Sequence, residues 1–359
     1  TISGSSAPVV AGESLTVDAT IENTGDVAGS QSVTLDAGGL GTDSTSVSLA
    51  GGESTVKTFT VSTGSGDAGG YTASVASAND ADSTAVTVQE PASFAVSIAG
   101  TNSPVVTGDS LSVEATVENT GDVGDTQTLT LDVGSLGSDS VSVSLGGGST
   151  TTETLSVPTT DGDAGTYTAS VASADDADST GVTVQEPGVL TVNITSADTP
   201  LVAGETLSVD ATVENTGDVA DTQTLTLDAG SLGSDATTVS LAGGEATTLT
   251  LSVDTGSGDA GAYTATVSNS DDTDSTAVTV QEPAYIAVSI TSTDSPVLGG
   301  ETLTVNAAVE NTGDVADTQT ITLDAGGLGT DATSVSLAGG ESTSVALSVA
   351  TVGDDAGNY

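Results

Sequence analysis

Between Leu111 and Glu118 apolar and polar side chains alternate without a break. Leu111, Val113, Ala115 and Val117 fall on one side, and Ser112, Glu114, Thr116 and Glu118 on the other. A period of two is the signature of a β-strand with one buried face, and this stretch is read as strand B of a domain. Upstream, Phe94, Val96 and Ile98 mark strand A, with Pro104 and Gly108 punctuating the turn between the two. Downstream of the Asn119-Thr120-Gly121-Asp122 turn, Leu129, Leu131 and Val133 mark strand C. A loop from Gly134 to Ser140 then leads to strand D, with Val141, Val143 and Leu145. The turn Gly146-Gly147-Gly148 opens strand E, with Leu155 and Val157. Tyr167, Ala169 and Val171 mark strand F, and Val182 and Val184 mark strand G. No stretch carries the 3.6-residue spacing of an amphipathic helix. Short strands with frequent turn signals predict an all-β sandwich.

The same pattern returns along the whole chain. Glu-Asn-Thr-Gly-Asp-Val begins at Glu22, Glu118, Glu214 and Glu310, a spacing of 96 residues each time. A unit of that size can hold its own core, unlike the roughly 20–50-residue units of solenoids. The chain is therefore read as a tandem array of seven-stranded immunoglobulin-like β-sandwiches with a 96-residue repeat. The repeats are expected over 1–88, 92–184, 188–280 and 284–359, the first lacking the start of strand A and the last truncated in strand F. Thr1 aligns with Ser97, and Tyr359 with Tyr71, Tyr167 and Tyr263, so the phase is that of a window cut from a longer array. The linkers 89–91, 185–187 and 281–283 each read Gln-Glu-Pro. Proline fixes its own φ and biases the residue before it towards extended geometry, which suits a stiff joint. On strand E, Lys57, Glu153, Leu249 and Val345 share one place in successive repeats. A position taking both charge signs and two aliphatics belongs at the rim of the sandwich, where a long side chain reaches water.

Charge narrows the picture. Fifty acidic residues stand against one basic residue, Lys57, for a net charge of −49. Self-repulsion of that size is tolerable where about 1 M salt shortens the Debye length to roughly 3 Å, which predicts adaptation to brine. Nucleic acid and anionic membrane are excluded as partners of these repeats, because contact with phosphates needs Lys and Arg. The chain contains no Cys, His, Met or Trp, so disulfides and thiolate or imidazole chemistry are absent.

Asp163-Ala164-Gly165-Thr166-Tyr167-Thr168-Ala169 resembles the start of strand F in immunoglobulin-like domains, with Tyr167 in the tyrosine-corner place. Ala169 and Ala115 stand where antibody domains carry their inter-sheet cysteines. The order Gly108-Asp-Ser-Leu, Ala115-Thr-Val-Glu-Asn-Thr-Gly-Asp, Ser142-Val-Ser-Leu and Ala164-Gly-Thr-Tyr-Thr resembles the CARDB family. These are cell-adhesion-related, immunoglobulin-like domains found in tandem in large surface proteins, here in the style of salt-loving archaea. The resemblance implies an extracellular, cell-surface location and neighbouring copies of similar repeats, or other cells, as partners. It brings no catalytic residues. The expected function is a non-catalytic stalk or filament segment serving as spacer, adhesin shaft or surface polymer. The alternative is an accessory repeat region of a secreted hydrolase or binding protein whose functional domain lies elsewhere.

Two kinds of candidate site remain. Asn79-Asp80-Ala81-Asp82, Asp175-Asp176-Ala177-Asp178 and Asp271-Asp272-Thr273-Asp274 lie in the F–G hairpins. Closely spaced carboxylates suit Ca²⁺, which takes 6–8 oxygens, although the EF-hand pattern is missing. With strands alternating in direction, the joint after the second repeat is expected to gather Asp139 and Asp163 from one side, Glu186 from the linker, and Asp218, Asp272 and Asp274 from the other, as possible ligands of a bridging Ca²⁺. Asn193-Ile194-Thr195 matches the N-glycosylation acceptor pattern on strand A of the third repeat.

Overall fold

The structure is a computed structural model that describes residues 1–355 and Gly357. Tyr359, read above as part of a fourth strand F, lies outside the described residues. The chain divides into two compact units, Thr1–Gln185 and Glu186–Tyr359, the first containing repeats 1 and 2 and the second repeats 3 and 4.

Repeat 2 shows the plan. Strand A (Phe94–Thr101), B (Ser110–Asn119) and E (Thr150–Pro158) form a three-stranded antiparallel sheet in the order E-B-A. Strands C (Asp125–Asp132), D (Ser138–Leu145), F (Gly165–Ala172) and G (Ala177–Gln185) form the second sheet. A two-residue strand A′ (Val105–Val106) joins that sheet by pairing parallel with the end of G, which gives the order A′-G-F-C-D. The first strand is thus shared between the sheets, switching at Ser103-Pro104. Strand boundaries in repeat 3 are those of repeat 2 displaced by one period, from Leu190–Ala197 for A to Thr273–Gln281 for G. Among the described residues repeat 4 has strands A to E, with C and D forming a two-stranded sheet.

The alternation seen in the sequence becomes the core. Leu111, Val113, Ala115 and Val117 are fully buried and face Leu129, Leu131, Ala169 and Val171 of the other sheet within one cluster. Ala115 and Ala169 are both inside, as are Ala211 and Ala265 in repeat 3, so small side chains fill the place of an inter-sheet disulfide. Each repeat has its own cluster, and none is shared with a neighbour. Lys57, Glu153, Leu249 and Val345 are all half-buried, on the rim. At about 1.5–3 kcal/mol per fully buried aliphatic side chain, before the entropy of folding is subtracted, such a core suits a domain of this size.

Three local expectations need correction. The C–D connection is shorter than Gly134 to Ser140, because a 3₁₀ turn over Gly134–Leu136 returns the chain to extended geometry at Ser138. Val133 lies just past strand C, yet it is buried under that turn. Strand A′ is too short for alternation to reveal it.

Candidate functional site

The recurring Asn-Thr-Gly-Asp turn is a seat for the linker that precedes it. In repeat 2, Asn119 ends strand B with its side chain completely buried. Its Nδ2 donates to the carbonyls of Val123 (2.8 Å) and Leu145 (3.3 Å), and its Oδ1 accepts from the amides of Gly121 (3.1 Å) and Ser93 (3.3 Å). One amide group therefore binds the B–C turn, the end of strand D and the incoming chain together. Two residues on, Gly121 faces the linker so closely that an added Cβ would overlap the Pro91 carbonyl. Asp122 completes the seat: its carboxylate accepts from the Glu90 amide (3.0 Å) and its own amide donates to the Glu90 carbonyl (3.1 Å). In the second unit the arrangement occurs twice. Asp218 holds Glu186 (2.9 Å) and Asp314 holds Glu282 (2.9 Å), with Pro187 and Pro283 over Gly217 and Gly313.

The residue before this seat is held from the other side. Gln89 pairs with Val10 of strand A′ in repeat 1 and accepts from the Ala11 amide (2.9 Å), while Glu90 belongs to the seat of repeat 2. Gln281 and Glu282 divide in the same way between repeats 3 and 4. Between two repeats of one unit, the freely turning chain is thus reduced to a single peptide link.

The acidic F–G hairpins have a different task. Strand A is the edge of its sheet, and its outward amides would otherwise be open to pairing with another chain. Asp175, Asp176 and Asp178 reach across from the other sheet and accept from the amides of Phe94 (2.9 Å), Val96 (2.9 Å) and Ile98 (2.8 Å). In repeat 3, Asp271, Asp272 and Asp274 do the same for Leu190, Val192 and Ile194. Asp82 holds Ile2 in repeat 1. On the opposite flank Asp139, near the start of strand D, accepts from the Ser156 amide of strand E (2.9 Å) and from the Ser140 amide (2.8 Å). Carboxylates thus fasten the two sheets to each other along both open flanks.

Hydrogen bonds to the ionised form hold several of these acids below the usual carboxylate range. The Gln127 side chain and then the Phe94 amide lower Asp175; the Ile98 and Ser179 amides lower Asp178; the Val192 and Thr273 amides lower Asp272. A carboxylate depressed in the folded state contributes stability above its unfolded pKa, and that contribution is lost as pH falls through the folded value. At about 3 M KCl, where general repulsion is screened, the melting temperature is expected to stay level from pH 7 to about 5 and to fall below about pH 4. Replacing Asp175 and Asp178 together by alanine should lower the melting temperature at pH 7 and flatten the acid limb. An unchanged acid limb would show that these contacts do not set it.

Of the six residues expected as Ca²⁺ ligands, five have carboxylates engaged with amides. Asp139, Asp218, Asp272 and Asp274 are described above, and Asp163 accepts from the Thr160 amide (2.7 Å) and hydroxyl (2.8 Å). The carbonyl of Asp163 also receives the Tyr167 hydroxyl (2.8 Å), which forms the tyrosine corner, as Asp67 and Asp259 do for Tyr71 and Tyr263. The Glu186 side chain has no hydrogen-bond partner among the described residues. No group of three or more acidic side chains there is arranged to hold a metal ion. Asn193 is exposed on strand A, and the Thr195 hydroxyl donates to the Asp210 carbonyl (3.2 Å) beside the strand's bulge.

No known protein family matches the chain, and no curated protein does. Solved structures do resemble it. A Ca²⁺-stabilised adhesin with which an Antarctic bacterium binds ice matches over 95% of this chain and 94% of its own, at 23% identity and a TM-score of 0.45. The titin I-band fragment I67–I69 matches over 78% of this chain and 98% of its own, at 16% identity and a TM-score of 0.28. Red sea bream transglutaminase matches over 52% of this chain and 31% of its own, at 16% identity and a TM-score of 0.23. At such scores these are resemblances of β-sandwich architecture only.

Proposed function

We propose that the chain is a non-catalytic structural segment of an extracellular surface protein, a spacer or adhesin shaft of CARDB-like repeats working in strong salt. The observation that carries this reading is the seated joint. Gln89 is bonded to one repeat and Glu90 to the next, and Gln281 and Glu282 likewise, so a pull on one repeat passes to its neighbour with little slack. Independent binding modules are better served by long flexible linkers, whose reach grows with the square root of length. The carboxylates along the flanks fit the same role. They cap edge strands without disulfides and keep a repetitive β-protein from pairing edge to edge. A glycan on Asn193 would project outward from one such edge, and the intact mass of protein from its native source tests for it.

The joint is tested by distance distributions between spin labels on repeats 1 and 2 of the whole chain, in brine. A narrow distribution is expected; one as broad as a free linker allows would remove the spacer reading. Adaptation to salt is tested separately. With a net charge of −49, the melting temperature should rise steeply from about 0.1 M to 1 M KCl as the Debye length falls from roughly 10 to 3 Å, and more slowly beyond. A flat curve would remove the brine argument. Ca²⁺ at a joint, with Glu186 as the free carboxylate, belongs to this reading as a finer step. If Ca²⁺ stiffens the joint after repeat 2, labels on repeats 2 and 3 will report a broader distribution after chelation.

A further inference from the structure

We propose that strand E of repeats 3 and 4 is a self-pairing edge through which copies of this chain associate side by side. Strand E spans Ala246–Asp254 in repeat 3 and Ser342–Ala350 in repeat 4, and in both it pairs only with strand B. Its far side is therefore a sheet edge. Strand A has its outward amides capped at three successive points, whereas strand E is capped at one. Asp235 accepts from the Ser252 amide (3.0 Å) and Asp331 from the Ser348 amide (2.8 Å). Backbone groups of a strand point to alternate sides, and the B–E register runs without a bulge. The amides of Ala246, Thr248 and Thr250 therefore point the same way as that of Ser252, and none of the three has a partner among the described residues. Ser342, Ser344 and Ala346 repeat the arrangement in repeat 4.

The chemistry along the edge decides its occupant. Residues 246–253 read Ala-Thr-Thr-Leu-Thr-Leu-Ser-Val and residues 342–349 read Ser-Thr-Ser-Val-Ala-Leu-Ser-Val, free of charge, proline and glycine in a chain of net charge −49. Uncharged segments with high β-propensity are the ones that pair with their own copies. A second copy brings an edge equally open and equally free of carboxylates, so no like charges meet at the contact. With a two-fold axis at Thr248, that residue lies opposite its counterpart and Ala246 lies opposite Thr250. Such pairs exchange both their hydrogen bonds, about six in all. Repeats 1 and 2 supply the contrast. The rim position that holds Leu249 and Val345 holds Lys57 and Glu153 there. A long charged side chain reaches water past the edge, and a strand laid alongside would close that exit and leave the charge buried. Leu249 and Val345 pack against their own cores instead, which leaves the edge clear.

The pairing rests on the strand edges and not on the seated joints, so its failure leaves the spacer reading untouched. Its test is sedimentation velocity of the whole chain at about 2 M KCl, where general repulsion is screened. Self-association that grows with concentration between about 0.01 and 1 mM is expected, as suits a small contact. The decisive variant is Leu249→Glu with Val345→Glu. Repeat 2 folds with glutamate at that place, so the melting curve should be nearly unchanged, while the concentration needed for half-association should rise at least about ten-fold. The reverse change, Lys57→Leu with Glu153→Leu, should clear two further edges and strengthen the association. Hydrogen exchange locates the contact: on going from dilute to concentrated protein, the amides of Thr248 and Thr250 should gain protection and those of Thr152 and Thr154 should not. A chain that stays monomeric throughout that range, an association equally strong in the glutamate variant, or no added protection at Thr248 would each overturn the proposal.

Discussion

Asn215→Ala is expected to destabilise repeat 3 by about 3–5 kcal/mol, a large part of the roughly 5–15 kcal/mol that holds a domain folded. The side chain is completely buried and makes four hydrogen bonds, to the carbonyls of Val219 (2.9 Å) and Leu241 (3.2 Å) and from the amides of Gly217 (3.1 Å) and Val189 (3.2 Å). Alanine removes all four partners at once. Each buried backbone group left unpaired costs about 1–3 kcal/mol, and the total falls short of four times that because water enters the space the amide vacates. Asn23→Ala in repeat 1 supplies the contrast. That side chain is only half-buried and makes three bonds, to Val27, Leu49 and Gly25, so the expected loss is about half as large. Hydrogen exchange reads each repeat separately, which a single melting curve of a multidomain chain cannot do. A loss under about 1 kcal/mol for Asn215→Ala would mean that the turn stands without its amide.

The contrast between these asparagines also shows where reading the chain succeeds and where it stops. Strands with one face in a core announce themselves, since side chains that alternate in space alternate in sequence, and Leu111, Val113, Ala115 and Val117 are fully buried as the pattern requires. The rim position on strand E was legible for a related reason: Lys57, Glu153, Leu249 and Val345 together tell what the site tolerates, and all four are half-buried. Tyr167 was legible from its neighbours, and its hydroxyl does reach Asp163. The acidic hairpins were not. Their ligands are backbone amides about 80 residues away, and a backbone amide has no letter in a sequence. The one available clue was a matched spacing: Phe94, Val96 and Ile98 lie two apart at an edge, and acids recur at Asp176 and Asp178 with the same step. Asn119 was hidden in another way, because Asn-Thr-Gly-Asp has the composition of an exposed turn. Only the arrival of the linker buries it.

Gly121→Ala is expected to unseat the linker, and its cost should separate it sharply from the same change at Gly25. Glycine is not needed here for its conformational freedom, because Gly121 and Gly25 are both absent from the residues with positive φ. The reason is space. At Gly121 an added Cβ would overlap the carbonyl oxygen and carbon of Pro91 and crowd the Ala92 Cα, all of them backbone atoms that cannot rotate away. Relief requires lifting the linker off the turn, which breaks the paired bonds of Glu90 with Asp122 and exposes Asn119 Oδ1 as Ser93 withdraws. Overpacking of this kind costs about 1–3 kcal/mol, and the lost hydrogen bonds add to it, so a destabilisation of repeat 2 by about 2–4 kcal/mol is expected. Gly25→Ala meets no such neighbour and should be neutral or stabilising by up to about 1 kcal/mol, through the reduced entropy of the unfolded chain. The same experiment reports on the joint. Spin labels on repeats 1 and 2 should show a broadened separation in Gly121→Ala even at temperatures where both repeats remain folded, because only the seat has been lost. If Gly121→Ala and Gly25→Ala prove equally mild and the separation stays narrow, stiffness at this joint comes from the Gln89 side and from proline, and the seat has no mechanical role.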